Sequence, residues 1–217
     1  MNDRFVAQRR QLINRLQERG IRDMGVLQAF DRVPRHLFVP QAVGHRAYED
    51  SPLPIGFGQT ASQPSLQALY MQLLQVGPND KVLEIGTGSG FQTAVLALLA
   101  DRVYSVERIR ELSTRARDVL DGMRLSNVAL LVGDGTIGWS RYAPYDAILV
   151  AAGGPEIPQP LMDQLADGGR MLVPVGTRDA QRLVLVRRAG DQFFSEEVLD
   201  CTFVPLLGRF GWAEERG

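Results

Sequence analysis

Four things are scarce in this 217-residue chain, and each scarcity narrows what it can do. There is one cysteine, Cys201, so no intrachain disulfide can form. It lies near Phe203 and Val204 with no histidine close by in sequence, which fits a structural thiol better than a nucleophile. The two histidines, His36 and His45, both fall in the N-terminal segment and neither ends a core strand, so structural roles are expected for them. No run of about 20 apolar residues occurs, and no apolar segment follows the charged start. Neither a membrane helix nor a signal peptide is read, and a cytoplasmic location is expected. Lysine appears once, at Lys81, and the arginines are interleaved with acids to a net charge of −1. That balance argues against a nucleic-acid partner. No metal site is read.

What is present supports a full core, since 45% of the residues are hydrophobic. The run from Arg4 to Arg19 carries Phe5, Val6, Leu12, Ile13 and Leu16 at helical spacing, as a solvated helix would. The spacing predicts helices over 3–20 and 23–32, a loop-rich stretch from Pro34 to Pro64, and a helix over Ser65–Gln75. Strands are then expected at 82–86, 103–107, 128–132, 146–150 and 170–175, alternating with helices at 90–100, 108–122 and 159–166. This alternation is the mark of a doubly wound α/β sheet. Two further strand-like stretches, 182–188 and 192–203, are joined by the hairpin signal Ala189-Gly190-Asp191. The expectation is one domain over 1–217, with an N-terminal helical cap and substrate loop (1–64) and a Rossmann-like core of seven strands (65–217) that ends antiparallel.

The densest signal is VLEIGTGSG, Val82 to Gly90. Val82, Leu83 and Ile85 suit a strand covered on both faces, and Gly86, Gly88 and Gly90 allow a tight turn that a ligand can approach. The next expected strand ends in Glu107, about 20 residues past the first glycine, where a ribose-binding acid belongs. The third glycine comes one residue earlier than in a dinucleotide fingerprint, and Phe91 stands where small packing is wanted. Glu84 would repel a phosphate near the helix start but suit a cationic ligand such as S-adenosylmethionine. The turn VGDG after the third strand adds Asp134, a candidate acceptor for the adenine amino group, and Gly135 beside the ring. This E-x-G-x-G-x-G arrangement resembles that of class I methyltransferases.

Two other segments bear on the acceptor. PIGFGQTASQP (Pro54 to Pro64) and AAGGPEIPQPLMDQL (Ala151 to Leu165) resemble the protein-L-isoaspartate O-methyltransferase family, as do DRVPRHLFVP, SVERI, GRMLVPVG and TFVPLLG. The resemblance spans about Leu12 to Leu207. It implies methyl transfer to the α-carboxylate of L-isoaspartyl residues in damaged proteins, with isoaspartyl proteins and peptides as partners. A monomer is expected. It maps the active-site serine to Ser62. Cofactor contacts are expected from Thr60, Gln63, Glu84, Gly86, Thr87, Gly88, Ser89, Glu107, Asp134 and Gly135. Substrate contacts are expected from Pro54, Ile55, Ala151, Ala152, Phe203 and Val204. Ala61 and Gly153-Gly154 depart from the family pattern on the acceptor side. Ser62 has a second reading, as a cap for the helix that follows. Three rival functions are a related peptide-tailoring aspartate methyltransferase, a cofactor-binding sensor without catalysis, and an RNA methyltransferase, the last weakened by the charge balance.

Overall fold

The computed structural model describes residues 5–214. The first two residues of the expected opening helix, and the last three of the chain, lie outside them. Helices α1 (Val6–Glu18) and α2 (Met24–Arg32) are followed by short 3-10 helices at Arg35–Leu37 and Gln41–Arg46. A hairpin of β1 (Leu53–Gly56) and β2 (Gln59–Ala61) leads into α3 (Pro64–Leu74). Strand and helix then alternate as β3 (Lys81–Ile85), α4 (Phe91–Leu99), β4 (Arg102–Glu107), α5 (Arg110–Gly122), β5 (Val128–Val132), β6 (Tyr145–Val150), α6 (Gln159–Asp163) and β7 (Leu165–Gly176). The long strands β8 (Gln181–Ala189) and β9 (Gln192–Cys201) follow.

Seven strands form one sheet in the order β5-β4-β3-β6-β7-β8-β9. The pairs from β5 to β7 are parallel, β8 is antiparallel to β7, and β9 is antiparallel to β8. The fold is therefore the expected Rossmann-like α/β sheet. Strand order reverses at β3, between β4 and β6, and that switch point is where open α/β sheets bind ligands.

Alternation along the strands makes two cores. Val82, Val103, Leu149, Leu172 and Leu185 face α1–α5 in one cluster, while Leu83, Ile85, Ile148, Val150, Met171 and Val173 face the other side. The first cluster takes in Leu12, Leu16, Phe30 and Phe38 as well, so the N-terminal helices pack onto the sheet's own core. Each such side chain stabilises the fold by about 1.5–3 kcal/mol when fully buried. Local signals set the boundaries. Asp23 caps α2 by accepting from the Val26 N–H at 3.0 Å, and Pro64 opens α3, where a missing N–H costs nothing. Arg170 of β7 donates to the carbonyls of Leu74 and Gln75 and pairs with Asp80, which ties the end of α3 to the β7 side of the sheet.

Two expectations needed revision. The stretch 53–61, read as loop, contains the β1–β2 hairpin. The helix expected over 159–166 stops at Asp163, and β7 starts at Leu165, with a register irregularity between Leu165 and Arg170 where Gly168 and Gly169 lie. No helix among the described residues is long and apolar enough to cross a membrane.

Candidate active site

A single cleft opens at the carboxyl ends of β3, β4, β5 and β6. It is walled by Gly86–Ser89 after β3, Glu107 at the end of β4, Gly135 after β5, and Ala151 and Ala152 after β6. The hairpin supplies Ile55, Thr60 and Ala61, the link into α3 supplies Ser62, α3 supplies Gln67, and the C-terminal segment supplies Val204–Leu207. Of the expected site residues, the fold thus gathers Ser62, Thr60, Gly86, Thr87, Gly88, Ser89, Glu107, Gly135, Ile55, Ala151, Ala152 and Val204 around one space.

Glu107 is held by the loop it serves. One oxygen accepts from the Gly88 N–H at 2.8 Å, the other from the Ile109 N–H at 2.9 Å. A carboxylate has about four acceptor sites, so both oxygens retain lone pairs for a pair of ribose hydroxyls. Gly90 answers to packing, not to a ligand. It has φ +85°, and a Cβ there would stand 2.8 Å from the Ala116 Cβ of α5. Phe91 is buried edge-on against Phe30 and Phe38 and fills the space a smaller residue would leave.

Glu84 does not face the cleft, contrary to expectation. It shares the β3 face of Val82 and lies fully buried beneath α4. Gln92 Nε2 donates to it at 3.1 Å, and the hydroxyls of Thr93 and Ser105 at 2.5 and 2.6 Å. Burial pushes its carboxyl up to about 7, with the Glu107 charge adding and those three hydrogen bonds opposing. The Thr87 hydroxyl, 2.5 Å from Ser105 Oγ, extends the same network under the glycine loop.

Four more expected contacts are placed elsewhere. Gln63 turns its amide to Asp50 (3.1 Å) and Ser65 (2.9 Å). Pro54 points outward, because the β1 pattern alternates and only Leu53 and Ile55 face in. Phe203 is a core residue stacked on Tyr70 at 5.7 Å. Asp134 caps the turn it begins, accepting from the Thr136 N–H and hydroxyl at 2.8 and 2.6 Å, while its other oxygen takes the Arg209 N–H at 2.8 Å. Burial raises its carboxyl, but those bonds and the Arg209 charge outweigh it and hold the group below the usual range.

Gly153 and Gly154 are also not an acceptor pocket. They exchange backbone hydrogen bonds with Val204, Leu206, Pro174 and Gly176. A Cβ on Gly153 would stand 2.9 Å from Gln181 Cδ, and Gln181 cannot yield. Its amide donates to the carbonyls of Thr177 and Arg178 at 2.5 and 3.0 Å and accepts from the Phe203 N–H at 2.7 Å.

Ser62 lines the cleft, and its hydroxyl has no hydrogen-bond partner among the described residues. It does not cap α3; the Asp50 carboxylate does that, accepting from the Ser65 N–H at 2.9 Å. What fixes Ser62 is Arg35, a residue that motif reading passed over. Arg35 is fully buried and donates to the carbonyls of Ala47 at 2.6 Å and Ser62 at 3.0 Å. Burial lowers its guanidinium to about 10, against the pull of Asp50 and Tyr48. His36 and Cys201 take the structural roles expected of them. His36 Nδ1 lies 2.8 Å from the Tyr48 hydroxyl, and burial raises the Cys201 thiol to about 11.

The donor set fits S-adenosylmethionine. Glu107 offers acceptors to the ribose, Ile85, Val106, Ile109 and Leu112 offer apolar surface to a nucleoside, and the buried Gln67 Oε1 has no hydrogen-bond partner and awaits a donor. Comparison with known proteins agrees. The family model described as protein-L-isoaspartate(D-aspartate) O-methyltransferase matches residues 7–211. Protein-L-isoaspartate O-methyltransferase 2 of Geotalea uraniireducens is 51% identical over 97% of this chain and 97% of that protein. The Dictyoglomus thermophilum protein-L-isoaspartate O-methyltransferase is 48% identical over 97% and 96%. A solved protein-L-isoaspartate O-methyltransferase superposes with a TM-score of 0.85 at 31% identity, over 94% of this chain and 67% of that one. A Plasmodium falciparum structure, in complex with S-adenosyl-L-homocysteine, shares the fold at 24% identity with a TM-score of 0.79, over 91% and 97%. The chain belongs to the protein-L-isoaspartate(D-aspartate) O-methyltransferase family.

Proposed function

We propose that this chain transfers a methyl group from S-adenosylmethionine to the α-carboxylate of L-isoaspartyl residues in proteins and peptides, as a single soluble domain acting as a monomer. The observation that carries this is the meeting of Glu107 and Ser62 in one cleft of a chain of this family. The cofactor supplies an electrophilic methyl on a sulfonium. Glu107, itself held by the Gly88 N–H, takes its ribose, and Thr60 and the turn at Gly135 close around it. Ser62 offers its unpartnered hydroxyl to the acceptor carboxylate, orienting one oxygen without neutralising it. A carboxylate is ionised at pH 7, so no general base is required. That agrees with a cleft that no histidine lines. Ile55, Ala61, Ala151, Ala152 and Val204 exclude water and grip the peptide beside the reacting group.

Specificity is geometric. Aspartate and isoaspartate each carry one free carboxylate of similar pKa, but in isoaspartate it sits directly on Cα. A site that fixes the flanking backbone misplaces the aspartate oxygen by about one methylene, and an error near 1 Å can cost about 10²-fold. Two peptides differing only in this linkage, incubated with methyl-labelled cofactor, decide the matter. The isoaspartyl peptide should be labelled, and mild alkali should release the label as methanol, because the neighbouring amide nitrogen attacks the ester carbonyl and closes a succinimide. Equal labelling of both peptides, or label stable to alkali, would refute this reading.

A further inference from the structure

The Gln67 carboxamide is unusual for a buried group. Gln67 is 5% exposed, lies on α3 five residues past Ser62, and lines the cleft, yet its Oε1 has no hydrogen-bond partner. A buried polar atom left unpaired costs about 1–3 kcal/mol, so an acceptor of this kind points to a missing donor. The other half of the amide is engaged. Gln67 Nε2 donates to Gln92 Oε1 over a long 3.4 Å, and Gln92 Nε2 donates to Glu84 Oε1 at 3.1 Å.

This chain of amides has a direction, and Glu84 sets it. An ionised carboxylate can only accept. Gln92 must then present its NH2 to Glu84 and its oxygen to Gln67, and Gln67 must spend its NH2 on Gln92. The carbonyl of Gln67 is left facing the cleft. A protonated Glu84 can instead donate from Oε1, which allows both amides to flip and turns the NH2 of Gln67 toward the ligand. The groups around Glu84 are the hydroxyls of Thr93 on α4 and Ser105 on β4, the Gln92 amide on α4, and the Glu107 carboxylate; no ion pair reaches it among the described residues. Its raised pKa, about 7, places both states within reach near neutrality.

We propose that Gln67 accepts a hydrogen bond from the α-ammonium of the cofactor's amino-acid end, and that Glu84, without touching the ligand, fixes the polarity of Gln67 through Gln92. The position agrees. Glu107 and Gly135 hold the adenosine end at β4 and β5, whereas Gln67 lines the cleft together with Ser62 and reaches through Gln92 of α4 to Glu84 on β3, at the switch point. The assignment rests on the cofactor reading above. Gln67 is a binding residue and Glu84 a positioning residue. Ammonium binding favours ionised Glu84, so occupation of the site expels a proton from it.

Isothermal calorimetry on the intact protein tests this with two ligands, S-adenosylhomocysteine and methylthioadenosine. The second has the same nucleoside and sulfur but no amino-acid portion. Gln67→Leu should weaken S-adenosylhomocysteine by at least tenfold and leave methylthioadenosine unchanged, which also reports that the cleft is folded. Near pH 7, repeating the titrations in buffers of different ionisation enthalpy should show proton release by the wild type on binding S-adenosylhomocysteine, and that release should vanish in Glu84→Gln. Full affinity for both ligands in Gln67→Leu overturns the proposal, as does an equal loss of both or proton release that persists in Glu84→Gln. Failure of the wild type to bind S-adenosylhomocysteine at all would instead overturn the cofactor reading.

Discussion

Ser62 and Glu84 show how differently one chain can use two polar residues. The Ser62 hydroxyl is spent on nothing inside the protein, while the Glu84 carboxylate is spent entirely on it. Ser62→Ala should therefore leave the melting temperature and the S-adenosylhomocysteine affinity unchanged and lower turnover on an isoaspartyl peptide by about 10²-fold, the cost of a misplaced acceptor. Turnover equal to wild type would remove Ser62 from the chemistry. The placement of Ser62 beside a ligand loop was legible in its motif, and so was Glu107 from its distance past the first glycine. Glu84 was misread because the glycine pattern fixes where along the strand an acid lies, not which face it takes. The alternation of Val82, Leu83, Glu84 and Ile85 contains that information. Leu83 and Ile85 share one face, so Glu84 must share the other with Val82, under α4. Gln67 and Gln92 left only a faint trace, as polar residues on largely apolar helices that also carry Ser65, Gln72 and Thr93.

Elements matter here through what anchors them. The parallel strands and their helices were legible because buried strands read as continuous apolar runs and amphipathic helices as a period of 3.6. The β1–β2 hairpin was not, since its strands have four and three residues and its tip, Gly56-Phe57-Gly58, has positive φ throughout. The α6–β7 boundary slipped for a related reason: Gly168 and Gly169 read as a turn, but they sit in an irregularity within a strand. The segment before the hairpin looked like a connector, yet it delivers Arg35 to the back of the Ser62 loop. Its guanidinium joins Ala47 in the N-terminal segment to Ser62 just before α3, so the cap positions the loop that faces the acceptor. Arg35→Met keeps the apolar stem and removes the guanidinium donors, so the carbonyls of Ala47 and Ser62 lose their partner and that of Ser51 loses a long contact at 3.5 Å. The expected result is a loss of stability of about 2–4 kcal/mol by urea unfolding. At a temperature where the variant is folded, kcat should drop by more than tenfold with little change in S-adenosylhomocysteine affinity. Parallel losses of kcat and cofactor affinity would mean that Arg35 supports the whole cleft and not the acceptor loop.

At the scale of the whole molecule, the buried network under the glycine loop couples folding to pH. Glu84 titrates at 4.5 ordinarily and at about 7 in the fold, chiefly because burial disfavours its charge. The folded state therefore holds a proton that the unfolded chain releases between those values. Stability from this group is full below pH 4.5, where both states are protonated, and declines as pH rises toward 7. Each pH unit of displacement corresponds to about 1.4 kcal/mol, so the decline amounts to roughly 3 kcal/mol and levels off above the folded value. The sign is opposite to that of Asp134, whose lowered carboxyl adds stability above its ordinary value and loses it only in stronger acid. The two windows do not overlap, which makes the Glu84 contribution separable. Glu84→Gln preserves the shape of the side chain and can hydrogen-bond the same partners, but it has no proton to lose. Subtracting the variant's unfolding free energy from that of the wild type at each pH cancels every titrating group that does not interact with Glu84. The difference should fall steadily in the wild type's disfavour from about pH 4.5 to about 7 and then flatten. A difference independent of pH would mean that Glu84 ionises in the fold as easily as in water, and the polarity assigned to Gln92 and Gln67 would then lack the group that sets it.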